Sequence, residues 1–571
     1  MPFRSPVSDF QFLLDNVVDF AAVAATEKFA EATDDTVTAI LTEAAKLSDE
    51  VVAPLNRSGD LDPAKLENGV VRTSKGFREG YQAIAEGGWV GISGDPEYGG
   101  MGLPFTLAAS VNDMLSGACL ALGLNPLLTQ GQIEALETHA SDQLKDTYLP
   151  RLTSGEWTGT MNLTEPQAGS DVGGLTSKAT RNDDGTYAVT GQKIFISWGD
   201  HDVAANVCHL VLARLPDGKP GTKGISLFMV PKFIPDENGE AGKANDLRVV
   251  SLEHKMGLHG SPTCVMSFEG ATGWLVGEEH NGMACMFTMM NNARLQVGVQ
   301  GVGIAEAAYQ HALTYALDRK QGRTPIENGR GTIVDFADVR RMLLQMRSET
   351  YAARAIALAC SVAIDMSHAT GDKEWEARAA FLTPIAKSYG TDTGIKVSEL
   401  GVQVHGGMGF VEETGAAQYS RDVRVTSIYE GTNGIQAMDL VARKMMDGGD
   451  MAFRLLDEIE SFNETIRESH GDLAGPVWDA AETLREATEW LLEQDLQTRF
   501  AGAVPYQSAF ARVLGAYYHL KSAHAEGEPG PRTALARFYI ERLLPDHEAN
   551  LAAARAGAEG LYAFGIEELS A

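Results

Sequence analysis

The segment Ile428-Tyr429-Glu430-Gly431-Thr432-Asn433-Gly434-Ile435-Gln436 sets one carboxylate at a strand-to-helix or loop-to-helix corner. A carboxylate in such a place can act as a general base. Its neighbours Ile428 and Tyr429 strip water from Glu430 and raise its pKa, Gly431 lets a flat ligand approach the backbone, and Thr432 is placed to cap the following helix. A glutamate in the first turn of a helix also complements the helix dipole, so this nonapeptide alone leaves a structural and a chemical role open. A second segment, Leu163-Thr164-Glu165-Pro166-Gln167-Ala168-Gly169-Ser170-Asp171-Val172-Gly173-Gly174, is either a glycine-rich surface loop or a cradle for a phosphate. Gly169 and Ser170 offer bare amides and a hydroxyl suited to a pyrophosphate, and Thr164 offers a short donor and acceptor for a polar ring edge.

In this order and at this spacing the two segments resemble the motifs of the acyl-CoA dehydrogenase flavoproteins, and the resemblance runs over residues 40–445 or so. It implies that the Thr-Glu-Pro-x-x-Gly-Ser-Asp loop holds FAD and that Glu430 abstracts the α-proton of an acyl-CoA. Met161, Leu163, Thr164, Gly169 and Ser170 then belong to the cofactor, as does Thr432. Tyr429 and Gly431 meet the substrate beside Glu430. Gly191-Gln192-Lys193-Ile194-Phe195-Ile196-Ser197-Trp198 alternates like a half-buried strand. By resemblance, Phe195 lies over the flavin and Ser197 bonds its reactive nitrogen, in place of the commoner Trp and Thr. Asp318-Arg319-Lys320-Gln321 resembles the element whose arginine pairs with the FAD pyrophosphate, which assigns Arg319 and, more loosely, Gln321. Gln403-Val404-His405-Gly406-Gly407 resembles the element that reaches across a subunit interface to the adenosine part, with Gln403 and Gly407 as contacts. Arg294 aligns with the arginine that meets CoA. Asn162 and Gly434 depart from the family pattern and bear on fine geometry around the cofactor. His405 has no second ligand at metal spacing and is expected to be structural; no metal site is expected.

The implied reaction is α,β-dehydrogenation of an acyl-CoA thioester to a trans-2-enoyl-CoA, with electron-transfer flavoprotein as acceptor and a homodimer or homotetramer as the assembly. An extension beyond residue 445 resembles the long bacterial members, which implies 3-methylthiopropionyl-CoA or another short-chain substrate. A long-chain dehydrogenase, an acyl-CoA oxidase and a DNA-binding alkylation-response homologue are the alternatives. The last needs a basic surface, whereas residues 451–571 hold 10 Lys and Arg against 20 Asp and Glu, a balance of -10.

The net charge of -30 over 571 residues opposes binding to nucleic acid or anionic membranes, and it requires local cations wherever CoA binds. A 44% apolar and 22% charged composition is that of a globular chain. Five scattered cysteines without a C-x-x-C pair, and no secretory signal, point to reduced thiols and a cytoplasmic location. The uncharged run from Met114 to Ile133 is expected to be a buried helix and loop rather than a membrane segment, with Pro126 and Pro150 breaking the helical pattern over Asn125–Leu152. Strands are expected at Tyr187–Thr190, His209–Leu212 and Ile225–Val230. Val339, Met342, Leu343 and Met346 share one helical face. Further helices are expected over Glu43–Val52, Ser461–Arg499 and Ala509–Leu520, with a loop at Glu526–Pro531. With the resemblance, this helix, strand, helix order implies an α+β acyl-CoA dehydrogenase fold: an N-terminal helical domain (1–160), a β-barrel (161–285), a helical bundle (286–445) and an appended helical domain (446–571).

Overall fold

The computed structural model describes residues 3–324 and 326–571. Two compact units emerge, Ala39–Ala293, and Pro6–Thr38 with Arg294–Ala571. The chain runs through α1 (Val7–Asn16), α2 (Phe20–Ala24), α3 (Asp34–Leu47), a π-helical turn at Ser48–Val52, and α4 (Ala53–Leu61). After the hairpin of β1 (Lys65–Glu67) and β2 (Val70–Arg72) come α5 (Phe77–Glu86), α6 (Phe105–His139) and α7 (Asp142–Thr153). Every residue of α6 from Phe105 to Ile133 is buried, as befits a helix that is apolar all round. By length and composition α6 could cross a membrane, but its apolar window lies wholly inside the fold.

Two expectations for this region are corrected. The run Met114–Ile133 contains no loop, and Pro126 and Pro150 both sit inside helices. The break falls instead at Cys119, with φ -159° and ψ 92°. Packing on every side outweighs the one backbone hydrogen bond a proline removes.

Strands follow: β3 (Trp157–Asn162), β4 (Lys178–Arg181), β5 (Tyr187–Ser197), β6 (Asn206–Arg214), β7 (Ile225–Pro231), the small hairpin β8 (Phe233–Pro235) and β9 (Ala241–Ala244), β10 (Leu247–Leu252) and β11 (Thr263–Val276). Their pairing closes on itself, β11 to β5 to β4 to β6 to β7 and back to β11, with β10 added along β11 and β3 parallel to β6. Closure leaves free edges only on β10 and β3, which lie outside the circuit. Val189, Val211, Phe228, Val230, Met266 and Phe268 fill the interior.

The alternation expected over Gly191–Trp198 is interrupted. On β11 only Val265 lies between the partners of Ile196 and Lys193, while β5 has both Ile194 and Phe195 there, so β5 carries a bulge. The bulge reverses the phase: Lys193 is buried, and Phe195, at φ 59°, is 61% exposed.

In the other unit, α8 (Gly282–Asp318, here from Arg294 onward), α9 (Ala337–Thr370) and α10 (Lys373–His405) form the bundle. A Cβ at Gly298 would stand 2.6 Å from the Ala386 carbonyl oxygen, and one at Gly301 only 2.2 Å from that of Gly390. Glycine therefore lets α8 and α10 meet backbone to backbone, running in the same direction. The Met342, Leu343 and Met346 face packs into this core with Val339 against it. Beyond α11 (Ala416–Val423) and α12 (Asn433–Val441) lie α13 (Asp450–Leu492), α14 (Leu496–Glu526), α15 (Pro531–Arg542) and α16 (Asp546–Arg555), then two short helical turns. The helix expected over Ser461–Arg499 is two helices. Asp495 ends the run by capping α14, its carboxylate accepting from Thr498 N–H at 2.8 Å. A buried Asp9 in α1 accepts from Arg347 of α9 at 2.5 Å and Arg532 of α15 at 3.3 Å.

Candidate active site

In the barrel unit, the loop after β3 is held against β5 from below. The carboxylate of buried Glu165 accepts from Lys193 Nζ at 2.8 Å, Ser177 N–H at 3.0 Å, Thr176 N–H at 2.6 Å and Oγ1 at 2.8 Å, and Gln167 Nε2 at 2.7 Å. Burial pushes this carboxyl up, but Lys193 and the hydrogen bonds outweigh it and hold it well below the usual carboxylate range. The same Lys193 donates to the Leu163 carbonyl at 2.9 Å, and Ile194 N–H donates to the Thr164 carbonyl at 2.9 Å. Thr164 is thereby fixed beside Ile194 on β5. Met161 ends in partial burial on β3, Leu163 and Thr164 are half-buried, and Gly169 and Ser170 are exposed, with nothing within 4 Å of a Cβ built on Gly169. These residues share β3 and the loop after it, which Lys193 and Ile194 tie to β5.

Their arrangement fits a flat, phosphate-bearing group. The Phe195 side chain is uncovered, and Gly169 and Ser170 offer open backbone. Glu165, the acidic residue inside the motif, is fully engaged below and offers no repulsion to a phosphate.

In the other unit, Glu430 is not in the first turn of α12. Thr432 is the N-cap, accepting from Ile435 N–H at 3.3 Å, and Glu430 precedes it at φ 55°. The dipole reading therefore fails, because the residue lies outside the helix. Gly431 follows at φ 84°, where a Cβ would meet Gln436 Nε2 at 2.7 Å. Five side chains take part in clamping the corner. Gln436 Nε2 donates to the Glu430 carbonyl at 3.1 Å, and Lys387 Nζ donates to the Gly431 carbonyl and to Asn433 Oδ1, both at 2.9 Å. The Tyr429 hydroxyl donates to Gln300 Oε1.

Burial pushes the half-buried Glu430 carboxyl up to about 7, against the pull of Arg294 and Lys387. Burial likewise brings the Lys387 ammonium down to about 8. Arg294, its guanidinium lowered by burial, feels Asp439 and Glu430 as attractive charges. A desolvated carboxylate near neutrality, with two cations beside it, can take a proton from carbon and tolerate an anionic ligand. Lys387, Asn433, Gln436 and Gln300 were missed in the sequence. Asn433 and Gln436 stand in the Glu430 segment itself without a role being read for them, and Lys387 shows only as a lone charge in the buried run that holds Phe381, Leu382 and Ile385.

The remaining expected residues lie elsewhere. Arg319 and Gln321 are exposed just past the end of α8, and Gln403 and Gly407 are exposed at the end of α10. His405 is buried there, its ring 4.5 Å from that of Tyr315, with Nδ1 2.7 Å from the Gly401 carbonyl. At ~1.5 Å per residue, Arg319 stands about 37 Å from Arg294 along α8. The bundle thus carries Glu430, Lys387 and Arg294 at one end and the Arg319, Gln321, Gln403 and Gly407 group at the other.

Residues 34–156, 160–271 and 280–446 match the N-terminal, middle and C-terminal domains described for acyl-CoA dehydrogenases. Residues 455–564 match a domain described as acetyl-CoA dehydrogenase C-terminal like. The chain is 44% identical over 526 residues to the 3-methylmercaptopropionyl-CoA dehydrogenase of Ruegeria pomeroyi, covering 89% of this chain and 88% of that protein. The chain belongs to the acyl-CoA dehydrogenase family. FAD is the cofactor of this family, and the enzyme is an acyl-CoA dehydrogenase, a CH-CH oxidoreductase. It is also 34% identical to a broad-specificity linear acyl-CoA dehydrogenase of Mycobacterium tuberculosis, over 87% of this chain and 86% of that one. In fold it resembles the acyl-CoA dehydrogenase of Bacillus anthracis solved with FAD, at 20% identity and a TM-score of 0.71, covering 98% of this chain and 93% of that one. The helical, β-sheet, helical order expected from the sequence is the family's fold. The cysteines Cys119, Cys208, Cys264, Cys285 and Cys360 are all free and buried.

Proposed function

We propose that Glu430 is the base that removes the α-proton of a short acyl-CoA thioester, with 3-methylthiopropionyl-CoA as the preferred substrate and a trans-2-enoyl-CoA as product. The observation that carries the reading is the carboxyl itself: desolvated, raised to about 7, and fixed at a positive-φ corner by Lys387 and Gln436. Bound FAD supplies the acceptor for the β-hydride, which no side chain can be. Tyr429 and Gly431 line the reacting carbons and exclude water from them. Arg294 meets the CoA moiety, and the proton stays on Glu430 after abstraction. Met161, Leu163, Thr164, Gly169, Ser170, Phe195, Ser197 and Thr432 hold the cofactor. Arg319, Gln321, Gln403 and Gly407, remote from Glu430 along the bundle, complete the cofactor site of a second copy in a homodimer or homotetramer. Electron-transfer flavoprotein takes the electrons.

The substrate preference is supported by the likeness to the Ruegeria enzyme. Sulfur is nearly isosteric with a methylene, and one methylene discriminates by only ~1–3 kcal/mol, so butanoyl-CoA should also react. The Mycobacterium relative favours a second reading, a broad range of linear chains. The test is kcat/KM for 3-methylthiopropionyl, butanoyl, octanoyl and palmitoyl thioesters with an artificial acceptor. The first two should lead; palmitoyl-CoA as the best substrate would refute the short-chain reading. Oxygen consumption at a rate matching turnover would make the enzyme an oxidase.

A further inference from the structure

A cavity of ≈ 110 Å³ opens between α9, α10 and α14, lined among others by Glu349, Ser388, Asp392, Lys396, Gln507 and Arg512. Three buried polar atoms of residues that line it, Glu349 Oε2, Ser388 Oγ and Gln507 Nε2, have no hydrogen-bond partner among the described residues. The residues that carry them are 1%, 4% and 4% exposed. Unpartnered buried polar atoms are uncommon in folded proteins, and three around one cavity call for something that fills it. The cavity walls are also fixed. Glu349 Oε1 is held by Lys396 Nζ at 3.0 Å and Arg512 Nη1 at 3.1 Å, which leaves Oε2 as the available acceptor. The Arg512 guanidinium lies 5.7 Å and 5.5 Å from the ring centres of Tyr389 and Tyr539. Asp392 is exposed and the Lys396 side chain is 43% exposed, which places both at the mouth.

We propose that this cavity binds a small zwitterion of amino-acid size, its cationic end on Glu349 and its anionic end on Gln507, Arg512 and Lys396. Two acidic and two basic side chains line the cavity, so it offers a partner to each end of a zwitterion. Glu349 Oε2 requires a donor and Gln507 Nε2 an acceptor, and Ser388 can serve either end. Size points the same way: a cavity of about 150 Å³ admits benzene, so this one takes about four or five heavy atoms. The site is joined by one hydrogen bond to the start of α12, the helix that follows Glu430, since Asp392 Oδ1 accepts from Asn433 Nδ2 at 2.7 Å.

The test titrates the full-length flavin-loaded protein with glycine, acetate or methylammonium at constant ionic strength. Readouts are flavin-fluorescence melting and saturation-transfer NMR on glycine. Glycine should raise the melting temperature saturably and the two single-charge probes should not. Gln507→Met and Ser388→Ala, which leave the Glu349 and Arg512 pairs intact, should keep flavin content and weaken glycine binding about tenfold or more. A wild-type protein without a saturable glycine response, a cavity filled by water alone, would overturn the proposal. So would an equal response to all three probes, or glycine binding unchanged in both variants.

Discussion

Replacing Glu430 by Gln should abolish turnover and stabilise the protein, and the stabilisation should grow with pH. The folded carboxyl titrates near 7 because burial disfavours its charge, while its ordinary value is 4.5. Below 4.5 both states are protonated and the group contributes nothing. Between 4.5 and about 7 the folded state holds the proton and the unfolded state has lost it, so stability falls as pH rises. Above 7 the full displacement is felt, about 3.4 kcal/mol at ~1.36 kcal/mol per pKa unit. Relative to a neutral glutamine, the wild-type enzyme should therefore be destabilised by about 0.8 kcal/mol near pH ~5 and by about 3.3 kcal/mol near pH ~8. Melting of flavin-loaded wild-type and Glu430→Gln protein at those two pH values measures the difference. The same titration should set an acid limb near 7 in the pH profile of wild-type kcat/KM, leaving about a tenth of the activity one pH unit lower. A variant whose stability relative to wild type is the same at both pH values would refute the claim that this carboxylate is desolvated. A limb near 4.5 would refute it independently.

Lys387→Met removes a cation that lowers the Glu430 pKa, so the acid limb should move up by roughly one unit; a pH profile with an unmoved limb would show that Lys387 acts only through the Gly431 carbonyl. Glu165→Gln leaves the buried Lys193 amine without its counter-ion, which should cost about 3–5 kcal/mol and release FAD; full flavin content at an unchanged melting temperature would contradict the role given to this pair. Arg319→Ala loses a charge-assisted contact to phosphate, and should lower flavin occupancy and loosen the oligomer in sedimentation. Wild-type values of both would separate Arg319 from the cofactor.

The chemical residues were legible because their types are constrained by chemistry and their spacing is local: a carboxylate before Gly-Thr, and glycine and serine amides after Thr-Glu-Pro. Most of their supports were not, because they join residues far apart in the chain; Gln436, six residues from the carbonyl it holds, is the exception. Glu165 and Lys193 meet across the gap between the β3 loop and β5, and the bulge that turns Lys193 inward and Phe195 outward depends on how β11 pairs with β5. Alternation along β5 alone predicts the opposite phase. Local rules failed where packing overrode them, at Pro126, which stays helical, and succeeded late at Asp495, a capping residue whose effect is plain only once α13 is seen to stop.

Backbone strain marks the same places as the chemistry. Among the described residues eight non-glycine positions have positive φ, and three of them, Phe195, Trp198 and Glu430, sit on the Gly191–Trp198 and Ile428–Gln436 segments. Each such conformation costs of order 1–3 kcal/mol and persists only where the surroundings enforce it. At Glu430 the enforcement is visible, since Gln436 holds the Glu430 carbonyl, Lys387 holds that of Gly431, and Thr432 starts α12 immediately after. At Trp198 the indole N–H donates to the Ala121 carbonyl at 3.2 Å and the backbone N–H to that of Pro262 at 2.7 Å. Both corners give up stability to aim a neighbouring side chain. A carboxylate left on a relaxed helical turn would face solvent, titrate near its ordinary value and be too weak a base for a proton on carbon.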